Sequence, residues 1–430
     1  MPPASPASVA ATAGLQGGTA SGKIRHVVVV VQENRSFNNL FYGFPGARTT
    51  KYGYDSKGKR IELQPVSLKT RWDIDHSSYS FFAACNGRGT LPGTHCRMNG
   101  FDKEQWYCGH ASQPPCPDAL PPYSYVPNSE TKPYFFLGKN YVLGDEMFTS
   151  NFDASSFISH QYIIAAQASS TVNYPLYAWG CPGGLSDTIQ TLTPERQFGP
   201  ETLACFDNRT LGDELDNAGL SWRYYTSRIM SGGGYWSAYQ AIRHIYDGPD
   251  WHKDVITPQT RFFNDVSAGR LRTVSWITPT CKNSDHAGCD DLTGPSWVGS
   301  IVNAIGKSAY WNDTAIFILW DDYGGWYDPV PPKKVDYDGL GIRVPLLIVS
   351  AYAKKGYVSH VHYEHGSILR FIEDVFNLPQ LAESDTRANS PQADAFDFTA
   401  KPRKFVAVPT ERDIRYFLRQ PLDERPPDTE

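Results

Sequence analysis

The sequence has no uninterrupted apolar run approaching the ~18 residues that a membrane-spanning helix needs. Nor is one sign of charge dominant. Forty Lys and Arg against 45 Asp and Glu leave a formal net charge of -5, and the sequence pI is near 6.1. That balance lacks the basic footprint of a nucleic-acid partner. No pair of cysteines stands in a CxxC spacing, which argues against a zinc knuckle or a thioredoxin-like redox site. There is no internal repeat. The first 22 residues, MPPASPASVAATAGLQGGTASG, lack a basic segment followed by a long apolar core and do not resemble an intact signal peptide. They read as a disordered leader.

The eight cysteines, at 85, 96, 108, 116, 181, 205, 281 and 289, fall into four sequence-local couples within Pro/Gly-rich segments. Disulfides are expected, for example Cys281 with Cys289 and Cys181 with Cys205, although eight cysteines allow many connectivities. Disulfides imply a non-reducing compartment, so a secreted or periplasmic protein is expected. With 430 residues, 40% hydrophobic and 20% charged, the chain can bury a large core in one to three domains.

One pattern recurs: an apolar, β-rich run ending abruptly in polar residues. IRHVVVVV (24–31) precedes Gln32, Glu33 and Asn34. LRTVSWITP (271–279) leads to Asp285 and His286, TAIFILW (314–320) to Asp321 and Asp322, and RVPLLIVSAY (343–352) to AKKGY. Continuous rather than alternating hydrophobicity predicts strands covered on both faces. Helices are predicted over 156–168, 296–308 and 365–377, the last with an apolar face of Ile368, Leu369, Ile372 and Phe376. The fold class expected is α/β, a three-layer α/β/α sandwich around a mostly parallel sheet. In such sheets ligands bind beyond the carboxyl ends of the strands, where the three polar clusters fall. Residues 23–385 are expected to form one catalytic domain. Segments 45–140 and 170–255, rich in Gly, Pro, aromatics and cysteines, read as insertions roofing the crevice, and 386–430 as a surface tail.

Two adjacent acids at the end of a buried strand repel one another, and a shared cation relieves them. Glu33 and Asn34 at another strand end would complete four oxygen ligands without a thiolate. This set suits one divalent ion among Ca, Mg, Mn and Zn. Ser155 and Ser156 precede an apolar helical pattern, where serine commonly caps the helix. The same position offers free N–H groups to a phosphate and, beside a metal, a nucleophilic hydroxyl. His76 and His286, each directly after an aspartate (Asp75 and Asp285), are candidates for contacting phosphate or protonating a leaving group. His365 reads as support for its own helix.

Together, ENRSFNNLFYGFPG (33–46), SNFDASSFISHQY (150–162), VSWITPTCKNSDH (274–286), LWDDYGGWYDPVPP (319–332) and the block from Arg343 to Asp374 resemble the phosphoesterase family of non-specific phospholipases C and related acid phosphatases. That family belongs to the alkaline-phosphatase-like superfamily. The resemblance implies metal ligation by Glu33, Asn34, Asp321 and Asp322 with Ser156 as nucleophile, Ser155 being its fallback. It also implies phosphate contacts from His76 and His286, with Asp285 in the catalytic group. Asn38 stands where the family signature has Asp, Ile158 and Ser159 replace a common Pro and Asn, and Tyr323 stands where many relatives have His. The expected function is metal-dependent phosphoester hydrolysis through a phosphoserine, first as phospholipase C cleavage of phospholipid head groups. The alternatives are a secreted acid phosphatase acting on monoesters and a catalytically decayed secreted binding protein. A sulfatase-like relative would leave ENRSF unexplained. The expected partners are a phospholipid or small phosphoester, with peripheral contact to a lipid surface through aromatic loops.

Overall fold

Five valines in succession are stable as a strand only if both faces are covered, and Val27 to Val31 are all fully buried. At about 1.5 kcal/mol for each buried valine, such a strand belongs at the centre of a sheet. The computed structural model describes residues 20, 22–108, 120–175, 177–228, 236–289 and 291–423. Most of the expected leader, Cys116 and the last seven residues of the expected tail lie outside the described residues.

The main sheet has eight strands: β1 (His26–Gln32), β2 (Val142–Gly144), β3 (Trp222–Tyr225), β4 (Val255–Ile256), β5 (Val274–Ile277), β6 (Thr314–Trp320), β7 (Leu346–Ser350) and β8 (Tyr357–Ser359). Their order is β4-β3-β5-β1-β6-β7-β2-β8. β1 lies at the centre, parallel to both β5 and β6. β7 runs antiparallel to its neighbours β6 and β2, whereas its hydrophobicity had suggested another parallel strand. Two strands, β3 and the border strand β4, come from the segment 170–255, so that segment is not all roof.

Helices cover both faces. Four matter here: α1 (Lys132–Asn140), α2 (Ser156–Ala165), α3 (Gly294–Gly306) and α4 (His365–Phe376). Phe317 and Trp320 of β6 differ in parity and therefore point to opposite faces. Phe317 meets Phe371 of α4 with ring centroids 4.9 Å apart, and Trp320 meets Tyr134 of α1 at 5.0 Å. The result is the three-layer α/β/α arrangement expected. Among the described residues, three local disulfides join Cys85 to Cys96, Cys181 to Cys205 and Cys281 to Cys289. The segment after 386 packs over α3, where Asn303 exchanges hydrogen bonds of 3.0 and 2.9 Å with the Val408 backbone.

Candidate active site

The in-register parallel ladder from His26 opposite Thr314 to Gln32 opposite Trp320 brings the ends of β1 and β6 to the same level. Glu33-Asn34 must then lie beside Asp321-Asp322. The Asp321 N–H donates to the Gln32 carbonyl (3.0 Å), and the Asn34 N–H donates to Asp321 Oδ1 (2.9 Å). Gly324, at φ +58°, is required there, because a Cβ would stand 2.2 Å from the Asn34 carbonyl oxygen.

α2 enters the same space. Ser155 caps it by backbone position, and Ser156 is its first helical residue. The Ser156 hydroxyl lies 3.2 Å from Asp322 Oδ2 and 3.4 Å from Asn34 Oδ1. Among the described residues Ser155 Oγ makes no hydrogen bond, so Ser156, not Ser155, joins the cluster. His76 fixes the Asn34 amide. Its Nε2 is 2.7 Å from Asn34 Nδ2, while its Nδ1 is 2.7 Å from the Ile74 carbonyl. These contacts make Nδ1 the donor and Nε2 the acceptor, which turns Asn34 Oδ1 towards Ser156.

His286 stacks on Trp236 at 5.5 Å, its ring 6.1 Å from that of His76. Its Nδ1 faces the Ala287 carbonyl. The Asp285 carboxylate does not enter the cluster with them. Tyr134 OH (2.7 Å) and Trp320 Nε1 (3.0 Å) both donate to its Oδ2, and burial pushes its carboxyl up to about 6. Its backbone pairs with Gln32 and Arg35 (3.0 and 2.7 Å). Asp285 thus ties the β5 loop to the β1 end and positions His286 rather than facing Ser156.

The sequence reading missed His160. It lies one helical turn after Ser156, so both project from the same face of α2. Its Nε2 is 3.3 Å from Glu33 Oε1 and 3.7 Å from Asp321 Oδ2. Burial pushes its imidazole down to about 4 against the pull of Asp321, leaving a neutral ring, the form that ligates metals. His365, set aside in the sequence reading, is also buried and reaches the Trp320 carbonyl at 3.3 Å.

Glu33, Asp321 and Asp322 are all fully buried. Among the described residues Asp321 Oδ2 accepts no hydrogen bond, and no Lys or Arg pairs with Asp321 or Asp322. Burial, then the charge of Asp321, pushes the Asp322 carboxyl well above the carboxylate range. Sealed carboxylates without a counter-charge are costly, and a cation answers that cost. Ligand atoms of Glu33, His160 and Asp321 all lie within 4.8 Å of one another. The residues fit a metal ion, with a nitrogen donor added to the oxygen set read from the sequence.

A model of the Phosphoesterase family matches residues 24–379. The chain belongs to the phosphoesterase family. Among its relatives, Phospholipase C B of Mycobacterium tuberculosis is 23% identical over 401 residues, covering 83% of this chain and 74% of that one. Non-specific phospholipase C1 of Arabidopsis thaliana is 23% identical over 404 residues, covering 83% and 68%. A Vibrio parahaemolyticus protein in the alkaline phosphatase superfamily aligns at 10% identity with a TM-score of 0.39, covering 88% of this chain and 74% of that one. The phosphoesterase is a hydrolytic enzyme. Its disulfides are consistent with an extracellular or periplasmic protein, and no described helix is long and apolar enough to cross a membrane.

Proposed function

We propose that this phosphoesterase cleaves the phosphodiester of phospholipids in the phospholipase C manner, with Ser156 as nucleophile. The observation that carries the reading is the Ser156 hydroxyl at the N-terminus of α2, within 3.4 Å of both Asn34 Oδ1 and Asp322 Oδ2. The curated relatives named above are phospholipases C, which favours a diester substrate.

A divalent ion held by Glu33, Asp321 and His160, with Asn34, Asp322 and Ser156 alongside, would supply Lewis-acid stabilisation of phosphoryl charge and lower the pKa of the serine hydroxyl. Asp322 orients the hydroxyl by accepting its hydrogen bond. The Asn34 amide, locked by His76, holds the other side. Ser156 Oγ gives its proton to Asp322 Oδ2 and attacks phosphorus in line, and the P–O bond to the diacylglycerol oxygen breaks. His286 acts as the general acid that supplies a proton to that oxygen. Water then attacks the phosphoserine, freeing the phosphorylated head group and restoring the serine. Free N–H groups at the start of α2 face the phosphoryl oxygens and stabilise their charge.

The test compares p-nitrophenyl phosphorylcholine with p-nitrophenyl phosphate. The expected result is preferential release of nitrophenol from the diester, abolished in Ser156→Ala with the thermal melt unchanged. Faster monoester turnover would make the protein an acid phosphatase instead, and near-full activity in Ser156→Ala would remove the serine from the chemistry. No turnover of either substrate after metal add-back would indicate a binding protein.

A further inference from the structure

Aromatics of the 45–140 segment pack inward, as Phe81, Phe101 and Tyr123 do with Tyr327 in a small second core. Six large side chains of this segment and of 170–255 do not, Tyr54 at 47% exposed among them. Tyr79, Tyr107, Tyr174 and Tyr177 are 60, 45, 36 and 61% exposed, and Leu185 is 85% exposed. Single exposed apolar residues are ordinary, but a grouped set marks an interaction site. Tyr79, Tyr107 and Tyr174 line one open cavity of about 480 Å³, together with Asp75, Asn173 and Glu201. Asp75 directly precedes His76, and its carbonyl packs beside Gly325, three residues after Asp322. The cavity therefore adjoins the active site.

The loop presenting Tyr177 and Leu185 is held rigid. The backbone N–H groups of Tyr177, Ala178 and Gly180 donate to the buried Asp187 carboxylate (2.8, 3.1 and 2.8 Å), and the Cys181–Cys205 disulfide closes the loop. Its exposure is fixed by the fold, and little conformational entropy remains to be lost on docking.

Charge selects the partner. Neither 72–87 nor 168–195 contains a lysine or arginine, and Asp75 and Glu201 lie in the cavity. The segments carrying Tyr79, Tyr174, Tyr177 and Leu185 thus lack the basic residues that hold proteins to anionic lipid, and the exposed Lys103 lies four residues from Tyr107. Tyrosines around an exposed leucine suit the head-group level of a bilayer. Carboxylates beside tyrosine rings suit an ammonium group.

We propose that Tyr79, Tyr107, Tyr174, Tyr177 and Leu185 form the face on which this phosphoesterase sits on a zwitterionic lipid surface, with the cavity lined by Tyr79, Tyr107 and Tyr174 admitting the ammonium end of the head group. The proposal rests on the phospholipid reading above and adds the docking face and the lipid charge it accepts.

The experiment uses the full chain carrying Ser156→Ala, so that vesicles survive, in co-sedimentation with phosphatidylcholine vesicles and with vesicles enriched in phosphatidylserine. The expected result is binding to phosphatidylcholine that weakens as phosphatidylserine is added. Adding Tyr177→Ser and Leu185→Ser should lower binding by roughly tenfold or more. Val406→Ser, at an exposed position in the C-terminal segment, should leave it unchanged. With Ser156 restored, the Tyr177→Ser/Leu185→Ser enzyme should lose turnover of vesicles and keep turnover of soluble p-nitrophenyl phosphorylcholine. Vesicle binding within twofold of the parent, or tighter binding to anionic vesicles, overturns the docking face. Failure of the unmodified enzyme to hydrolyse the soluble diester overturns the underlying reading instead.

Discussion

Replacing Asp322 with asparagine should disable the enzyme and stabilise its metal-free form. Asp322 is fully buried, and burial, reinforced by the charge of Asp321, raises its carboxyl well above the ordinary 3.8. The folded chain keeps a proton there that the unfolded chain releases near about pH 4. With more protons bound to the folded state, stability falls as pH rises, by up to about 1.4 kcal/mol per pH unit. Between about pH 5 and about pH 8 the ceiling is about 4 kcal/mol. Sharing of the proton with Asp321 and relaxation around the pair reduce this to roughly 2 kcal/mol. An amide has the shape of the protonated acid and cannot ionise, so Asp322→Asn should remove that slope. For a chain of this length 2 kcal/mol corresponds to a rise in Tm of about 2 °C. Calorimetry after chelation should show that gain at the higher pH and little at the lower. Turnover after metal add-back should fall roughly a hundredfold. A chelated variant that melts no higher than the parent at about pH 8, or one with the same gain at both pH values, would refute the reasoning.

Two further outcomes follow from the same physics. His160→Gln should weaken divalent-metal binding roughly 10- to 100-fold, read by chelator competition and elemental analysis, and unchanged affinity would exclude the imidazole from the metal site. Glu373, pushed up to about 10 by burial and then by Asp385, holds a proton in the folded state that the unfolded chain loses above the ordinary 4.5. Its stabilising effect therefore disappears as pH climbs towards the raised value. Glu373→Gln should accordingly raise stability by about 1 kcal/mol under alkaline conditions and hardly at all under acidic ones, and a pH-independent Tm difference would count against it.

Much of the site was readable because hydrophobic runs and polar ends are local signals. Val27–Val31 and Thr314–Trp320 announced buried strands, and their polar ends converge because the two strands pair in register. His160 escaped notice because it sits in SFISHQYIIA, a stretch that reads as core helix. The available clue was its spacing of four from Ser156. The direction of β7 is not encoded in its apolar content, but the 321–345 connection is Pro/Gly-rich and carries no helix. A parallel crossover would need one. Val142–Gly144, Val255–Ile256 and Tyr357–Ser359 are too short to show periodicity, and pairing with a neighbour defines them. Asp285 looked catalytic beside its histidine, and only the tertiary contacts with Tyr134 and Trp320 show where its carboxylate goes.

The most direct test of the mechanism is to quench the metal-loaded enzyme in acid during turnover of p-nitrophenyl phosphorylcholine and map the digest by mass spectrometry. A phosphoryl adduct on Ser156 of the peptide spanning α2, missing from Ser156→Ala, is the predicted result. A fully active enzyme that yields no adduct under any quench, or carries it on Ser155 or a histidine, would contradict the account.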